Sequence, residues 1–265
     1  MIARLTSQAM HTEIFTEGQF KYYEAGRGQI LLLLHGLFGS LSNFKQVIDY
    51  FSKKMKVSIP LLPLYELPPE KTGIEGLVNY LHDFIHFKQY NDVILTGNSL
   101  GGHIALMYTL KYPEKVKAIA LTGSSGLFEN SLGVDYPKKS DYDFVRNKTE
   151  YTFYNPATAT KELVDEVYEI VNNREKAIRI LHLARSALRN NLREQLKNIS
   201  VPVMLIWGKN DRITPPFVGE EFHRLLPTSS LEFINKCGHA AMMEQPEEFN
   251  RILDNFISKI EAGIT

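Results

Sequence analysis

The chain has 265 residues, of which 44% are apolar and 23% charged, enough for the core of one large domain or a domain with a modest insertion. Thirty basic residues balance thirty acidic ones, which disfavours a sequence-independent binder of nucleic-acid phosphates. Cys237 is the only cysteine, which excludes an intrachain disulfide and a cysteine-cluster metal site. The composition is that of an ordinary globular protein.

The hydrophobic segments of the chain are short. The first ten residues contain no apolar run of signal-peptide length, and the most apolar stretch covers only residues 30–34. A membrane helix needs roughly 20 apolar residues. We therefore expect a soluble cytoplasmic protein that binds neither a membrane nor nucleic acid.

Strand and helix patterns alternate along most of the chain. Short β-prone runs flank a turn at Glu17-Gly18, and the apolar run at 30–34 is typical of a strand buried on both faces. Strands are predicted at 12–16, 20–23, 30–34, 57–61, 92–96, 116–121, 201–207 and 231–234, and helices at 43–53, 77–85, 100–111 and 249–260. This order predicts a mostly parallel sheet with helices on both faces.

One long segment interrupts the alternation. Between residues 127 and 198 there are helical periods, at 163–171 and 177–188, but no buried strand run. We interpret residues 1–126 and 199–265 as the sheet domain and 127–198 as a helical lid. Its aromatic side chains are expected to roof a mostly apolar pocket; they are Tyr136, Tyr142, Phe144, Tyr151, Phe153 and Tyr154.

A serine motif lies where a predicted strand passes into a predicted helix. Gly97-Asn98-Ser99-Leu100-Gly101 fits the pattern G-x-S-x-G. The strand-to-helix turn is so sharp that it strains the serine backbone, and larger neighbours would collide with adjacent main chain. The motif in this setting indicates a nucleophilic serine.

Over nearly its whole length the sequence resembles the α/β-hydrolase fold family. His35-Gly36-Leu37 follows the third strand, Asp211 follows the strand that ends at Trp207, and Cys237-Gly238-His239 follows the last strand. The order Ser99, Asp211, His239 is the nucleophile–acid–base order of that family. The resemblance implies an eight-stranded, mostly parallel sheet with helices on both faces and a helical cap inserted between two core strands.

The resemblance also implies a role for each motif residue. His239 would accept the proton of Ser99, and Asp211 would orient the imidazole. The backbone N–H groups of Leu37 and Leu100 would form the oxyanion hole. His35, Gly36 and Asn98 would support the site. No cofactor and no metal are expected.

Simpler interpretations of these residues are also open. Asp211 could cap the helix that follows it, since Asp before Thr214-Pro215 suits a helix start. Glu129, which follows the preceding core strand, is the rival acid. Ser99 could be a turn residue and His239 a structural histidine.

These residues indicate a hydrolase of a small, largely apolar carboxylic ester, thioester or lactone, acting through a Ser99 acyl-enzyme. The start Gly97-Asn98-Ser99 also resembles C–C bond hydrolases that cleave ring-fission diketones, but Ala240 stands after His239 where those enzymes usually have Trp. A low-turnover small-molecule receptor on a hydrolase scaffold is the third hypothesis. A serine nucleophile disfavours the aspartate-dependent members of the fold.

Overall fold

The computed structural model describes residues 13–39, 41–68, 71–128 and 141–264. Its strands are β1 (Phe15–Glu17), β2 (Phe20–Ala25), β3 (Ile30–Leu34), β4 (Lys56–Pro60), β5 (Val93–Asn98), β6 (Val116–Thr122), β7 (Val203–Gly208) and β8 (Ser229–Ile234). Its helices are α1 (Lys45–Phe51), α2 (Ile74–Phe87), α3 (Leu100–Lys111), α4 (Tyr142–Tyr151), α5 (Lys161–Asn172), α6 (Arg174–Arg189), α7 (Pro216–Leu225), α8 (Ala241–Glu244) and α9 (Pro246–Glu261).

The eight strands form one sheet in the order β1-β2-β4-β3-β5-β6-β7-β8. β1 and β2 pair antiparallel, and β2 pairs antiparallel with β4; every other neighbouring pair is parallel. This confirms the predicted eight-stranded, mostly parallel fold. Because β3, β5, β6 and β7 run parallel, the turns after their last residues meet at one edge of the sheet.

Two apolar layers cover the sheet. The side chains of α2, α3 and α7 pack on one face, and those of α1 and α9 pack on the other. All six residues of β5 and all six of β7 are buried, which explains their continuous apolar runs. The central strands therefore hold their terminal turns on a rigid base.

The predicted bounds of the strands and helices lie within three residues of the observed ones. β3 and α3 begin and end at the predicted residues. The helix expected after Thr214-Pro215 is α7, which begins at Pro216. The pattern does not predict α4 and α8; α4 is a largely polar helix that buries only Val145 and Thr149, and α8 has four residues. Short or polar helices show little hydrophobic periodicity, so pattern alone does not reveal them.

The helices α4, α5 and α6 lie between β6 and β7, and α6 docks on the sheet domain through buried Leu183 and Ala187 and through polar contacts. The Arg179 guanidinium donates to the Leu67 carbonyl and to Thr72 Oγ1, and Ser186 Oγ accepts from the Ile74 N–H at 3.0 Å. The predicted limits of the insertion, 127 and 198, stay a prediction.

Among the described residues no helix combines the length and the apolarity that crossing a bilayer requires.

The turn from β5 into α3 predicts a sharp packing limit at Gly101. A Cβ atom there would overlap the Leu34 carbonyl oxygen at the end of β3. Gly101→Ala should therefore destabilise the fold by about 3 kcal/mol or more, because backbone on both sides would have to move. Urea denaturation measures this loss.

Gly18→Ala is the matched control. Gly18 has φ +58° in the turn between β1 and β2, and a Cβ there would meet nothing within 4 Å. It should cost only about 1–2 kcal/mol for the left-handed backbone. Equal losses at the two glycines would contradict the packing argument.

Candidate active site

Ser99 lies at the turn between β5 and α3 with an unfavourable backbone conformation, φ 54° and ψ −118°. Positive φ is uncommon for residues other than glycine and persists only where the surroundings impose it. Here the Ser99 N–H donates to Thr122 O at 3.1 Å, and the Ser99 carbonyl accepts from the N–H groups of Gly102, His103 and Ser125. The residue is thus fixed from both β6 and α3, and it is partly exposed.

Glycines make this turn sterically possible. A Cβ at Gly97 would lie 2.5 Å from the backbone of Gly101 and Gly102. The turn after β3 also passes directly beside the serine, since a Cβ at Gly36 would lie 3.3 Å from Ser99 Cβ. Leu37 follows Gly36 directly, so the backbone of Leu37 also lies close to Ser99.

Two backbone N–H groups are candidates for anion stabilisation, as predicted from the sequence. Leu100 is the first residue of α3, and N–H groups at a helix start have no acceptor within the helix. Leu37 lies in the β3 turn, and its carbonyl accepts a hydrogen bond from the Tyr65 hydroxyl at 3.3 Å. These groups are expected to act as an oxyanion hole, and that role stays a prediction.

His35 supports the β3 turn in its neutral form. Its Nδ1 lies 2.9 Å from the Gly36 carbonyl, and its Nε2 accepts the Leu62 N–H at 3.2 Å. Complete burial lowers the pKa of His35, because a charged imidazole would lose its hydration. Both ring nitrogens are occupied by backbone partners, which fits the bracing role expected for this residue.

Asp211 and His239 form a buried pair at the ends of β7 and β8. Asp211 Oδ2 lies 2.9 Å from His239 Nδ1. The same carboxylate accepts from the backbone N–H groups of Ile213 and Thr214 at 2.8 and 2.9 Å, and from Thr214 Oγ1 at 2.8 Å. These donors stabilise the buried negative charge and aim Oδ2 at the imidazole.

His239 and Ser99 are both anchored at the end of β6. A Cβ at Gly123 would lie 2.7 Å from His239 Nδ1, and the preceding residue, Thr122, accepts the Ser99 N–H. The Asn98 Nδ2 group donates to both Thr122 O and His239 O at 3.1 Å. Asn98, predicted as a supporting residue, therefore connects the serine turn with the histidine turn.

The structure tests one of the alternatives to a catalytic Asp211, namely its interpretation as a helix cap. The N-cap of α7 is Pro215, and no side chain caps it, so Asp211 is not the cap of that helix. Its carboxylate does stabilise the turn at 213–214, in addition to contacting His239. The rival acid Glu129 lies outside the described residues.

Cys237 is fully buried, and burial raises its pKa to about 12, so its thiol stays protonated.

Five of the six predicted lid aromatics lie among the described residues, and they differ in exposure, so their roof over a pocket stays a prediction. Tyr151 and Tyr154 are 47% and 40% exposed, whereas Phe153 is buried in the apolar layer beside Ala240 and Ala241. The Tyr142 hydroxyl donates to Asp165 at 2.6 Å, within the lid. Phe144 is half-buried beside Lys148, and Tyr136 lies outside the described residues.

Two contacting residues had weak or no sequence signals. Thr214 lies three residues after Asp211, a spacing common in turns that a side-chain carboxylate closes. Ser125 lies at the end of β6, with its N–H on the Ser99 carbonyl and its Oγ 3.4 Å from His103 Nδ1. The Thr214 contact is local and the Ser125 contacts are tertiary, and hydrophobic periodicity encodes neither.

Comparison with known proteins gives a consistent family. The profile of the alpha/beta hydrolase family matches residues 31–252. An alpha/beta hydrolase enzyme from the metagenome of lagoon sediments of Mar Chica, Morocco, is 46% identical, with a TM-score of 0.79 over 94% of this chain and 99% of that one.

Two curated relatives carry more specific names. The 2-hydroxy-6-oxo-6-(2'-aminophenyl)hexa-2,4-dienoic acid hydrolase of Metapseudomonas resinovorans is 28% identical over 98% of this chain and 95% of its own length. Lipase 1 of Psychrobacter immobilis is 27% identical over 91% of this chain and 81% of its own length.

A buried histidine beside the serine turn predicts acid sensitivity of the fold. His103 Nε2 lies 2.8 Å from the Asn190 carbonyl, and burial lowers its pKa to about 4 from 6.5. Between these two pH values the unfolded chain binds more protons than the folded one, so stability falls as the pH falls. The loss across this window should reach about 3 kcal/mol.

Urea denaturation at pH 7 and pH 4.5 tests this, with His103→Gln as the variant. The glutamine amide can still donate to Asn190 but does not titrate. We expect a flatter pH dependence of the free energy of unfolding in the variant. The same slope in both proteins would contradict the assignment to His103.

Proposed function

The chain belongs to the alpha/beta hydrolase family, and on that basis we propose that it is a serine hydrolase that cleaves a small, largely apolar carboxylic ester. The buried Asp211–His239 pair, anchored on the same end of β6 as the strained Ser99, carries the proposal. An imidazole held by a carboxylate on one nitrogen has its other nitrogen free to accept a proton.

In the proposed reaction Ser99 Oγ attacks the carbonyl carbon of the ester while His239 Nε2 takes the hydroxyl proton. The C–O bond to the alcohol then breaks, and the alcohol leaves with the proton from His239. Water next attacks the acyl-enzyme and gives its proton to His239. The acid departs, and Ser99 regains its proton.

The tetrahedral intermediates carry a negative charge on the former carbonyl oxygen. We assign its stabilisation to the backbone N–H groups of Leu37 and Leu100, which belong to the two turns that meet at Ser99. One such donor is typically worth about 2.7–4 kcal/mol in the transition state. The neutral His35 and the Tyr65 hydroxyl hold the Leu37 turn in place.

The inserted segment 127–198 is proposed as a lid over this site. Thr152, just after α4, accepts the His239 N–H at 2.9 Å, so the insertion contacts the histidine turn directly. Arg179 and Ser186 fix α6 to the other side of the sheet domain. A lid attached at both sides would limit bulk water at the site while the water that hydrolyses the acyl-enzyme still enters.

The polar contacts of the serine turn favour an uncharged substrate. The side chains that contact it or its neighbours are Asn98, Ser125, Tyr65 and the two neutral histidines His35 and His103. A carboxylate next to these groups would lose hydration without gaining a counter-charge from any of them. A cation beside them is Lys176, whose Nζ lies 5.3 Å from the centre of the Tyr65 ring. The Psychrobacter relative is named as a lipase, which agrees with an ester substrate.

C–C bond hydrolysis is the second candidate. The Metapseudomonas relative is named for a hexadienoic acid substrate, and it matches nearly the whole chain. The same Ser99–His239 pair would serve either reaction. Turnover of a vinylogous diketone without turnover of esters would favour this candidate over the first.

Incubation with a fluorophosphonate tests the nucleophile. Ser99 Oγ should form a bond to phosphorus as the P–F bond breaks, adding one phosphonyl group per chain by mass spectrometry. Ser99→Ala should abolish labelling and lower ester turnover by about 1,000-fold or more. A panel of esters of increasing acyl length then gives the preferred chain.

Leu37→Ala is the matched control, because it shortens a side chain in the site but keeps the backbone N–H. It should lower turnover much less than Ser99→Ala. A folded wild-type protein that takes up no probe at Ser99 would contradict the proposed function.

A further inference from the structure

The carboxylate of Glu244 joins two separate segments of the chain at the histidine turn. Glu244 is the last residue of α8, five positions after His239. Its Oε2 accepts the Gly238 N–H at 2.6 Å and the Tyr154 N–H at 3.1 Å, and its Oε1 accepts the Asn155 N–H at 2.5 Å. One side chain therefore holds the segment after α4 against the residue that precedes His239.

The two segments are also in direct backbone contact. The His239 N–H donates to the Thr152 carbonyl at 2.9 Å, and a Cβ at Gly238 would lie 2.5 Å from that same oxygen. Phe153 is only 3% exposed and packs in the apolar layer with Ala240 and Ala241. Residues 152–155 thus form a clamp, which we define as the lid segment that covers the Gly238–His239 turn.

The main chain of His239 is consequently held from two sides. Its N–H is bound by Thr152 in the clamp, and its carbonyl is bound by Asn98, the neighbour of Ser99. The ring is held at Nδ1, where Asp211 Oδ2 lies 2.9 Å away and Thr214 Oγ1 3.3 Å away. The direction in which Nε2 points depends on both the ring contact and the backbone anchors, so movement of the clamp would move the imidazole relative to Ser99.

The three hydrogen bonds need a carboxylate. An ionised Glu accepts at both oxygens, and hydrogen bonds to a charged acceptor are about twice as strong as neutral ones. A glutamine presents one acceptor oxygen and one NH₂ group, so at least one of the three N–H donors would face another donor. The Glu244 side chain is half-buried, and this limits how well water can replace the lost acceptor oxygen.

We propose that Glu244 is a positioning residue, which couples the placement of the lid to the orientation of the general base His239. This inference rests on the proposed function, because it assigns to Glu244 an effect on the reaction that Ser99 and His239 carry out. Glu244 does not contact the reacting atoms. It acts by holding the clamp on the histidine turn.

The experiment compares wild type with Glu244→Gln at two levels. The rate constant for fluorophosphonate labelling of Ser99, measured from pH 5 to 9, reports how well His239 activates the serine. The deshielded ¹H NMR signal of the His239 Nδ1–H, assigned by its loss in His239→Gln, reports the contact with Asp211. We expect labelling about 10- to 100-fold slower, and a shifted or broadened signal.

Glu247→Gln is the matched control. Glu247 is an exposed carboxylate in the first turn of α9, three residues after Glu244. Glu247→Gln removes the same charge without contacting the clamp. Ser99 in this variant should be labelled at the wild-type rate, and the His239 Nδ1–H signal should be unchanged. If Glu244→Gln fails to fold, Glu244→Asp keeps the charge but is one methylene shorter, and it should show the same changes to a smaller degree.

The outcomes separate the two proposals. Wild-type labelling kinetics and an unchanged NMR signal in a folded Glu244→Gln would overturn the positioning role and leave the proposed function intact. Slow labelling with an unchanged His239 signal and pH midpoint would also overturn it. If folded wild type takes up no probe, the proposed function fails, and the NMR signal alone then decides whether Glu244 orients His239.

Discussion

The positive φ of Ser99 is the constraint around which the site is organised. A serine in this conformation is stable only because its N–H, its carbonyl and its neighbours are all held by other parts of the sheet. The hydrogen bond to Thr122 ties it to β6, and the close approach of Gly36 brings the β3 turn beside it. The conformation leaves the hydroxyl at the surface of the turn instead of inside a helix or strand.

The same constraint explains the placement of the other groups. Since β3, β5, β6 and β7 are parallel neighbours, their last residues lie side by side, and every turn that follows them contributes to one edge. Asn98 then links the serine turn to His239, and Asp211 meets His239 from the end of β7. Residues more than a hundred positions apart converge because the sheet places their strand ends together.

Much of this arrangement was predictable from the sequence, for a physical reason. Buried parallel strands are continuous apolar runs, and the glycines around Ser99 mark a turn that no larger residue allows. The eight-stranded fold and the bounds of β3 and α3 followed from these signals. Contacts between surface segments could not be predicted from the sequence, because they depend on how those segments pack. Glu244 lies on a four-residue helix, and its partners Tyr154 and Asn155 are 90 and 89 residues away in the sequence. The exposure of Tyr151 and Tyr154 likewise depends on the docking of α4.

Ser99 is proposed to react at the point where the Leu37 and Leu100 N–H groups converge, and a crystal structure of the phosphonylated protein would locate the reacted group. We expect a bond from Ser99 Oγ to phosphorus, with the phosphonyl oxygen about 2.7–3.1 Å from both backbone nitrogens. We also expect His239 Nε2 within hydrogen-bonding distance of Oγ. A phosphonyl oxygen directed away from both N–H groups, or an adduct on another residue, would contradict this proposal.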